Sequence, residues 1–286
     1  MSEWSVSEPQ KLTFDEPVTA LNVRIVNGTV NVVGTDEGSS ARLEVSEIDG
    51  PPLIVTQEGG TLTVTYEDLT WKDLPKWLDR KGWKPRRAVV SLTVPADASV
   101  AVGTVGAGSV ISGVRGRTEV RGVTGDTTLV GVAGKVAADT VSGNLEAQAV
   151  SGDLHFKSVS GNLTVFEGIG SSVRAESVSG DMVVDLDPAG TDRPADIGLT
   201  TVSGEVAIRL PHPADAKVEA NTATGSVSNA FEDLRVSGKW GAKRITGTLG
   251  AGSGKLRAST VSGSIALLRR PATDVPDAPA SLTKEL

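Results

Sequence analysis

The chain has 286 residues, including 33 glycines, no cysteine and two histidines, and its aromatic content is only 3%. The lack of cysteine excludes disulfide bridges and thiolate metal sites, and the net charge of −7 argues against nucleic-acid binding through a broad basic face. Abundant glycine with few aromatic residues favours thin, stacked β-structure with many turns.

The N-terminal residues show no export signal. Residues 1–9 lack the basic start and the apolar core of a signal peptide, and no apolar run of about 18 residues occurs anywhere in the sequence. We therefore expect a cytoplasmic protein.

The first 100 residues predict an N-terminal β region. Residues 41–66 alternate apolar and polar side chains, as half-buried strands do, and Gly59-Gly60 predicts a hairpin turn. Residues 26–32 already have the spacing of the repeat that follows, and residues 88–94 form another strand, ended by a proline. We expect this region to be continuous with the repeats.

A segment rich in tryptophan, lysine and arginine interrupts the β pattern at residues 67–87. It contains three of the five tryptophans, and residues 71–87 include seven basic and two acidic residues. Such a segment could bind a lipid or sugar surface, or it could cap one end of a stacked β fold. The candidate interaction surface consists of Trp71, Lys76, Trp77, Arg80, Lys81, Trp83, Lys84, Arg86 and Arg87.

A repeat of roughly nine residues is the strongest signal in the sequence. Valines recur every nine residues from Val105 to Val159, glycine usually occupies position 3, and an apolar residue often occupies position 5 and usually position 7. Positions 1, 5 and 7 share one parity, so on a strand they would face the same side. The glycine would avoid crowding at a bend or permit a positive φ. Each V-x-G-x-L unit therefore predicts a short strand followed by a bend.

One unit cannot bury its apolar side alone, whereas stacked units cover one another. The pattern predicts an all-β, β-helix-like solenoid of stacked short strands over residues 101–269, with two units per coil favoured. The N-terminal β region and its insertion would cap this solenoid. Residues 270–286 are rich in proline and alanine and predict a disordered tail.

Val-Ser-Gly-Asx units begin at Val141, Val150, Val159 and Val178, and a strand ending at Ala96 precedes the repeats. In these motifs the chain resembles the DUF4097 family of bacterial β-strand-repeat proteins, also labelled adhesin-like, over residues 15–268. The resemblance implies a β-solenoid, a setting in the cell envelope or a stress response, and no shared catalytic residues. The signal peptide expected of a surface adhesin is not seen.

No set of residues with the spacing of a catalytic, cofactor-binding or metal site stands out. Asp126, Asp153 and Asp181 alternate with asparagine at one repeat position, which is typical of turns and too poor in acid and glycine for a calcium cage. We therefore expect a non-catalytic interaction or scaffold protein without a cofactor. Its partner would be another protein or a second copy, peripheral membrane or polysaccharide contact is a further option, and nucleic acid is not expected.

Two alternatives remain open. The first is a self-assembling, bactofilin-like cytoskeletal solenoid whose ends stack head to tail. The second is a carbohydrate-binding or carbohydrate-active β-helix, although no pair of carboxylates stands out.

Overall fold

A computed structural model describes residues 1–67, 86–169, 172–187, 194–239 and 241–270. Every regular element in these residues is a β-strand, and no helix in them could cross a membrane. The strands, in chain order, are β1 (Ser2–Val6), β2 (Gln10–Phe14), β3 (Ala20–Ile25), β4 (Asn27–Thr35), β5 (Ala41–Asp49), β6 (Leu53–Glu58), β7 (Thr61–Tyr66), β8 (Arg87–Pro95), β9 (Ser99–Thr104), β10 (Gly108–Ser112), β11 (Thr118–Gly122), β12 (Thr127–Val130), β13 (Val136–Thr140), β14 (Leu145–Gln148), β15 (Leu154–Lys157), β16 (Leu163–Gly168), β17 (Ser172–Glu176), β18 (Met182–Leu186), β19 (Asp196–Thr200), β20 (Val206–Leu210), β21 (Ala216–Thr222), β22 (Val227–Asn229), β23 (Leu234–Lys239), β24 (Ala242–Leu249), β25 (Gly254–Thr260) and β26 (Ile265–Arg269).

Two long sheets face each other across a single core. Sheet A has 14 strands in the order β1-β6-β7-β3-β9-β11-β13-β15-β17-β19-β25-β21-β24-β23. Sheet B has 12 strands in the order β2-β5-β8-β4-β10-β12-β14-β16-β18-β20-β26-β22. From β9 to β22 the chain alternates between the sheets, so each coil consists of one strand from each. The predicted all-β solenoid is confirmed, with two strands per coil.

Neighbouring coils pair in parallel, and in the regular part equivalent residues are two repeat units apart. In sheet A, for example, Val120 lies beside Ala138, which lies beside Phe156. The residues at positions 5 and 7 fill the space between the sheets, and most are apolar, such as the almost completely buried Leu145 and Leu163. In the first three units position 5 is instead a buried Ser109, Thr118 or Thr127. Burial of one such side chain stabilises the fold by about 1.5–3 kcal/mol, so the coils are held together mainly by this stacked core.

The N-terminal strands belong to the same two sheets, since β3 pairs with β9 and β4 pairs with β10, both in parallel. At the other end the chain order is broken. The last coil, β25 and β26, lies between the coil of β19 and β20 and the coil of β21 and β22. The hairpin of β23 and β24 then extends sheet A two strands beyond sheet B. The segment that connects β22 to this hairpin contains the buried Phe231.

The structure corrects the prediction that all repeat valines face the core. At the edge where the chain passes from sheet B to sheet A, Val114, Val132 and Val150 are buried. At the opposite edge, where it passes from sheet A to sheet B, Val141 and Val159 are 46% and 51% exposed. The two edges therefore use the same motif with different orientations of its valine.

The residue before the valine explains this difference. At the buried edge Gly113, Gly131 and Ala149 have φ values of 66°, 60° and 51°, in the left-handed region. A residue in this conformation breaks the alternation of the strand and turns the following valine inward. At the exposed edge, Thr140 and its equivalents keep the extended alternation, so their own side chains face inward and the valine faces out.

Candidate interaction surface

Of the nine predicted surface residues, only Arg86 and Arg87 fall within the described part of the chain. The other seven lie outside it, namely Trp71, Lys76, Trp77, Arg80, Lys81, Trp83 and Lys84. The Arg87 guanidinium forms an exposed ion pair with Glu47 at 3.5 Å, and the Arg86 guanidinium lies over the Tyr66 ring at 5.4 Å. The two arginines therefore lie where the chain re-enters sheet B, at the edge where the valines are exposed.

Tyr66, the last residue of β7, is 1% exposed, and its hydroxyl has no hydrogen-bond partner among the described residues. Burial raises the pKa of this phenol to about 12, and the positive charge of Arg86 partly opposes the rise. The side-chain amide of Asn27 donates a hydrogen bond to the Arg86 carbonyl at 3.2 Å. These contacts attach residue 86 to β4 and β7, whereas a binding role for the nine residues stays a prediction.

The exposed edge is a column of stacked turns with a glycine at its centre. An ideal Cβ atom built on Gly143 would lie 2.2 Å from the carbonyl oxygen of Gly125 in the preceding coil, and one on Gly161 would lie 2.1 Å from the oxygen of Gly143. Neither Gly143 nor Gly161 has a positive φ. The repeat glycine is thus required because the backbones of successive coils approach closely. The prediction of crowding was right, but the crowding atom belongs to the neighbouring coil.

Polar groups at this edge are satisfied by the neighbouring coil. The backbone N–H of Asn144 donates to Asp126 Oδ1 at 2.9 Å, that of Asn162 to Asn144 Oδ1 at 2.9 Å, and that of Asp181 to Asn162 Oδ1 at 2.8 Å. The hydroxyl of Ser179 donates to the Val159 carbonyl of the coil before it at 3.3 Å. The Asp and Asn side chains thus continue the hydrogen-bond ladder between coils.

An inward column of hydroxyl groups was missed by the sequence reasoning. The Thr201 hydroxyl donates to the Gly180 carbonyl at 3.2 Å and accepts from the Gly204 N–H at 3.2 Å. The same arrangement recurs in the next coil at Thr260. The signal was available, because Ser or Thr precedes the valines of the exposed edge, while Gly or Ala precedes those of the buried edge. The column is formed by Thr140, Ser158, Ser177, Thr201, Thr260 and Thr222.

Five exposed valines form a continuous line along this edge, which we call the valine ridge. They follow the consecutive strands β13, β15, β17, β19 and β25 of sheet A, so successive valines are about 4.8 Å apart. Their exposed fractions lie between 46% and 51%. The ridge consists of Val141, Val159, Val178, Val202 and Val261.

A second set of exposed apolar side chains lies on the outside of sheet B, separated from the ridge by the row of Asp126, Asn144, Asn162 and Asp181, and we call it the apolar face. Its members point outward from β4, β10, β12, β16, β18 and β26, which belong to one run of eight neighbouring strands. The apolar face consists of Val33, Val110, Val130, Phe166, Val183 and Leu268, each between 36% and 47% exposed.

Sheet A has a different outer surface in the same eight coils. Its eight matching strands contain ten charged residues, whereas those of sheet B contain five. Several of these charges are paired, including Arg174 with Asp196 at 2.7 Å and Lys157 with Glu176 at 3.4 Å. None of the large exposed apolar side chains of the described residues lies on this part of sheet A. Shallow depressions interrupt it, including one of about 360 Å³ around Gly198 and one of about 270 Å³ around Gly103.

Charged groups elsewhere also pair across coils. Arg115 bridges Asp36 at 2.6 Å and Asp97 at 2.9 Å, and its hydrogen bond holds the pKa of the Asp97 carboxyl below the usual value. Arg209 forms a bidentate ion pair with the buried carboxylate of Asp185. In the residues that the structure describes, no three potential metal ligands come together.

Comparison with known proteins gives a family and two distant structures. The family model described as Toastrack DUF4097 matches residues 111–268, and no curated protein matches the chain. A crystal structure named as a candidate cell adhesion protein from Clostridium sporogenes is 12% identical, with 92% of this chain and all of that chain covered and a TM-score of 0.27. One named as a candidate lipid binding protein from Parabacteroides distasonis is 11% identical, with 92% and 98% covered and a TM-score of 0.42.

At these TM-scores neither structure informs the function of this chain. The family match, in contrast, spans more than half of its residues and includes the regular coils of the solenoid. The resemblance seen in the sequence is thereby confirmed, and the chain belongs to the DUF4097 (Toastrack) family.

Proposed function

We propose that this chain is a non-catalytic interaction or scaffold protein that binds its partner through the apolar face and the valine ridge. One observation carries the proposal. Thirteen large hydrophobic residues are exposed in the described chain, and eleven of them lie on these two surfaces. Exposed apolar surface concentrated in this way, continuous along the ridge and interspersed with polar side chains on the face, marks interaction sites in soluble proteins. The setting that the family implies, the cell envelope or a stress response, is part of the proposal.

The polar side chains at the exposed edge already form hydrogen bonds within the protein, which supports a role without catalysis. At the exposed edge, the hydroxyl and carboxylate groups already bond to the backbone of neighbouring coils, as Asp126 and Thr201 do. A catalytic acid, base or nucleophile needs a group that is free to exchange protons with a substrate. The stacked turns therefore favour rigidity, and they leave apolar groups as the ones directed toward a partner.

Site-specific photo-crosslinking in the expressing cell tests this proposal. A benzophenone amino acid replaces Val110 or Val183 on the apolar face, and matched variants carry it at Ala137 or Thr200 on sheet A. We expect covalent adducts from the first pair at several times the yield of the second pair. Equal yields from both sheets, or adducts from sheet A alone, would refute the apolar face as the binding surface.

The tryptophan-rich segment offers a separate test of the sequence-based prediction. Replacing Trp71, Trp77 and Trp83 together by alanine should abolish binding and leave the melting temperature unchanged if the segment contacts the partner. Preserved binding with a lower melting temperature would instead identify it as a cap. The same crosslinking yield from Val110 serves as the binding readout.

A further inference from the structure

We infer that the partner of the apolar face is a second copy of this chain, packed sheet to sheet about a two-fold axis. The inference rests on the proposed function, because it names the partner of the same surface. Charge, flatness and area each support this partner.

Charge restricts how two copies can approach, because each has a net charge of −7. The eight central strands of sheet B contain few charged residues, and two of these, Asp185 and Arg209, neutralise each other in an ion pair. Arg269 lies over the Phe231 ring at the end of its strand, and Glu167 lies at the strand end beside the irregular register of β16. Among the residues of these strands, Glu146 brings an uncompensated charge to the middle of the face, and the exposed Asp126, Asp181 and Glu205 lie along its border with the valine ridge. The strands of this face still contain fewer charges than those of sheet A, so repulsion between copies is smaller here than between two sheet A surfaces.

The outer rows of sheet B have the shape that sheet packing requires. Val110 lies beside Thr128 in one row, and Ser112 lies beside Val130 in the next, so small and β-branched side chains alternate. From β4 to β16 the register between neighbouring strands is unbroken, and it shifts only at the end of β16, where that strand pairs with β18. Two such faces can interdigitate at a separation of about 10 Å, as the two sheets of a β-sandwich do.

The area suits a weak but specific dimer. Eight strands about 4.8 Å apart span ~34 Å, and five residues at about 3.3 Å each span ~16 Å, which gives ~540 Å² on each copy. The pair would bury ~1,100 Å² in total, just above the ~1,000 Å² that separates biological interfaces from accidental contacts. We therefore expect a weak dimer whose population depends on the protein concentration.

The charge at the centre of the apolar face predicts how one substitution changes the affinity of the dimer. Maximal overlap places the two-fold axis between β14 and β16, the middle strands of the eight, so the two copies of Glu146 lie close to each other. Glu146→Gln removes their repulsion and should tighten the dimer several-fold. An unchanged or weaker association of this variant would overturn the centred packing.

Sedimentation velocity of the full chain across a wide concentration range tests the dimer itself. Wild type should shift from monomer to dimer, and Val110→Lys with Val183→Lys should weaken association at least tenfold because four lysines would enter the apolar contact. Ala137→Lys with Thr200→Lys is the matched control on sheet A and should associate as wild type does. Circular dichroism establishes that each variant is folded.

The outcomes separate this inference from the proposed function. A wild-type chain that stays monomeric at every concentration, or that grows into polymers, overturns the dimer, as does equal weakening by the two lysine pairs. If crosslinks from Val110 then yield adducts of a mass other than twice that of the chain, the apolar face still binds a different partner. If Val110 yields no adduct and the chain is monomeric, both proposals fail.

Discussion

The two edges of the solenoid are built from the same nine-residue motif, yet one buries its valine and the other exposes it. Val132 is fully buried, whereas Val159 is 51% exposed. The difference comes from the preceding residue, which is a left-handed Gly131 at the first edge and an extended Ser158 with an inward hydroxyl at the second. One apparent repeat thus contains two kinds of turn, and the choice of turn determines which edge exposes its valine.

Replacement of the repeat glycine should have the largest effect on stability, because both edges need a glycine where the backbones of successive coils approach. An alanine Cβ would lie 2.2 Å from the Gly125 carbonyl oxygen in Gly143→Ala and 1.9 Å from that of Gly134 in Gly152→Ala. Backbone atoms of the stacked coil cannot move away independently, so we expect a loss of about 3 kcal/mol or more from the free energy of unfolding in urea.

Gly131→Ala is the control for that change. Gly131 has open space around its Cβ position and a φ of 60°, so alanine meets conformational strain without a clash. We expect a loss of only about 1 kcal/mol, the cost of a left-handed alanine. Equal losses for Gly131→Ala and Gly143→Ala would contradict close backbone approach as the reason for the repeat glycine.

The valines test the comparison directly. Val132→Ala removes two buried methyl groups and should lower the free energy of unfolding by about 2 kcal/mol. Val159→Ala removes the same groups from the valine ridge and should change it by less than about 0.5 kcal/mol. Urea unfolding of both variants measures the difference, and similar losses would show that the two edges are not distinct.

The hydroxyl column distinguishes the exposed edge from the buried one. Thr201→Val keeps the shape of the side chain but leaves the Gly204 N–H without its acceptor, so we expect a loss of about 1–2 kcal/mol. Ser203→Ala removes an exposed hydroxyl two residues away, which donates to the Val178 carbonyl at 3.4 Å, and should cost less than about 0.5 kcal/mol. Thermal unfolding measures the loss of stability in both variants. A larger loss for Ser203→Ala than for Thr201→Val would refute the stabilising role of the hydroxyl column.

The fold could be predicted from the sequence because the core depends on period-2 alternation, which Leu145 and Ala147 display in one repeat unit and which recurs in most of the others. The orientation of the valine could not be predicted from parity alone, since it depends on a backbone φ value at residue 131 or 149. The apolar face was also missed. Its members are outward positions of different coils, such as Val110 and Val183, and only the pairing of successive coils places them in one row of the sheet.

Ala149 offers the smallest effect and the most specific test of the turn at the buried edge. It has a φ of 51° where the two preceding coils have glycine, so it bears the strain that Gly131 avoids. Ala149→Gly should therefore raise the free energy of unfolding by about 0.5–1 kcal/mol, because the relief of strain exceeds the added entropy of the unfolded chain. Gln148→Gly, one residue earlier in an extended strand, gains no such relief and should lower it by about 0.5–1 kcal/mol. Opposite signs at adjacent residues would establish that the left-handed residue sets the turn. A loss in both variants would mean that the inward valine has another cause.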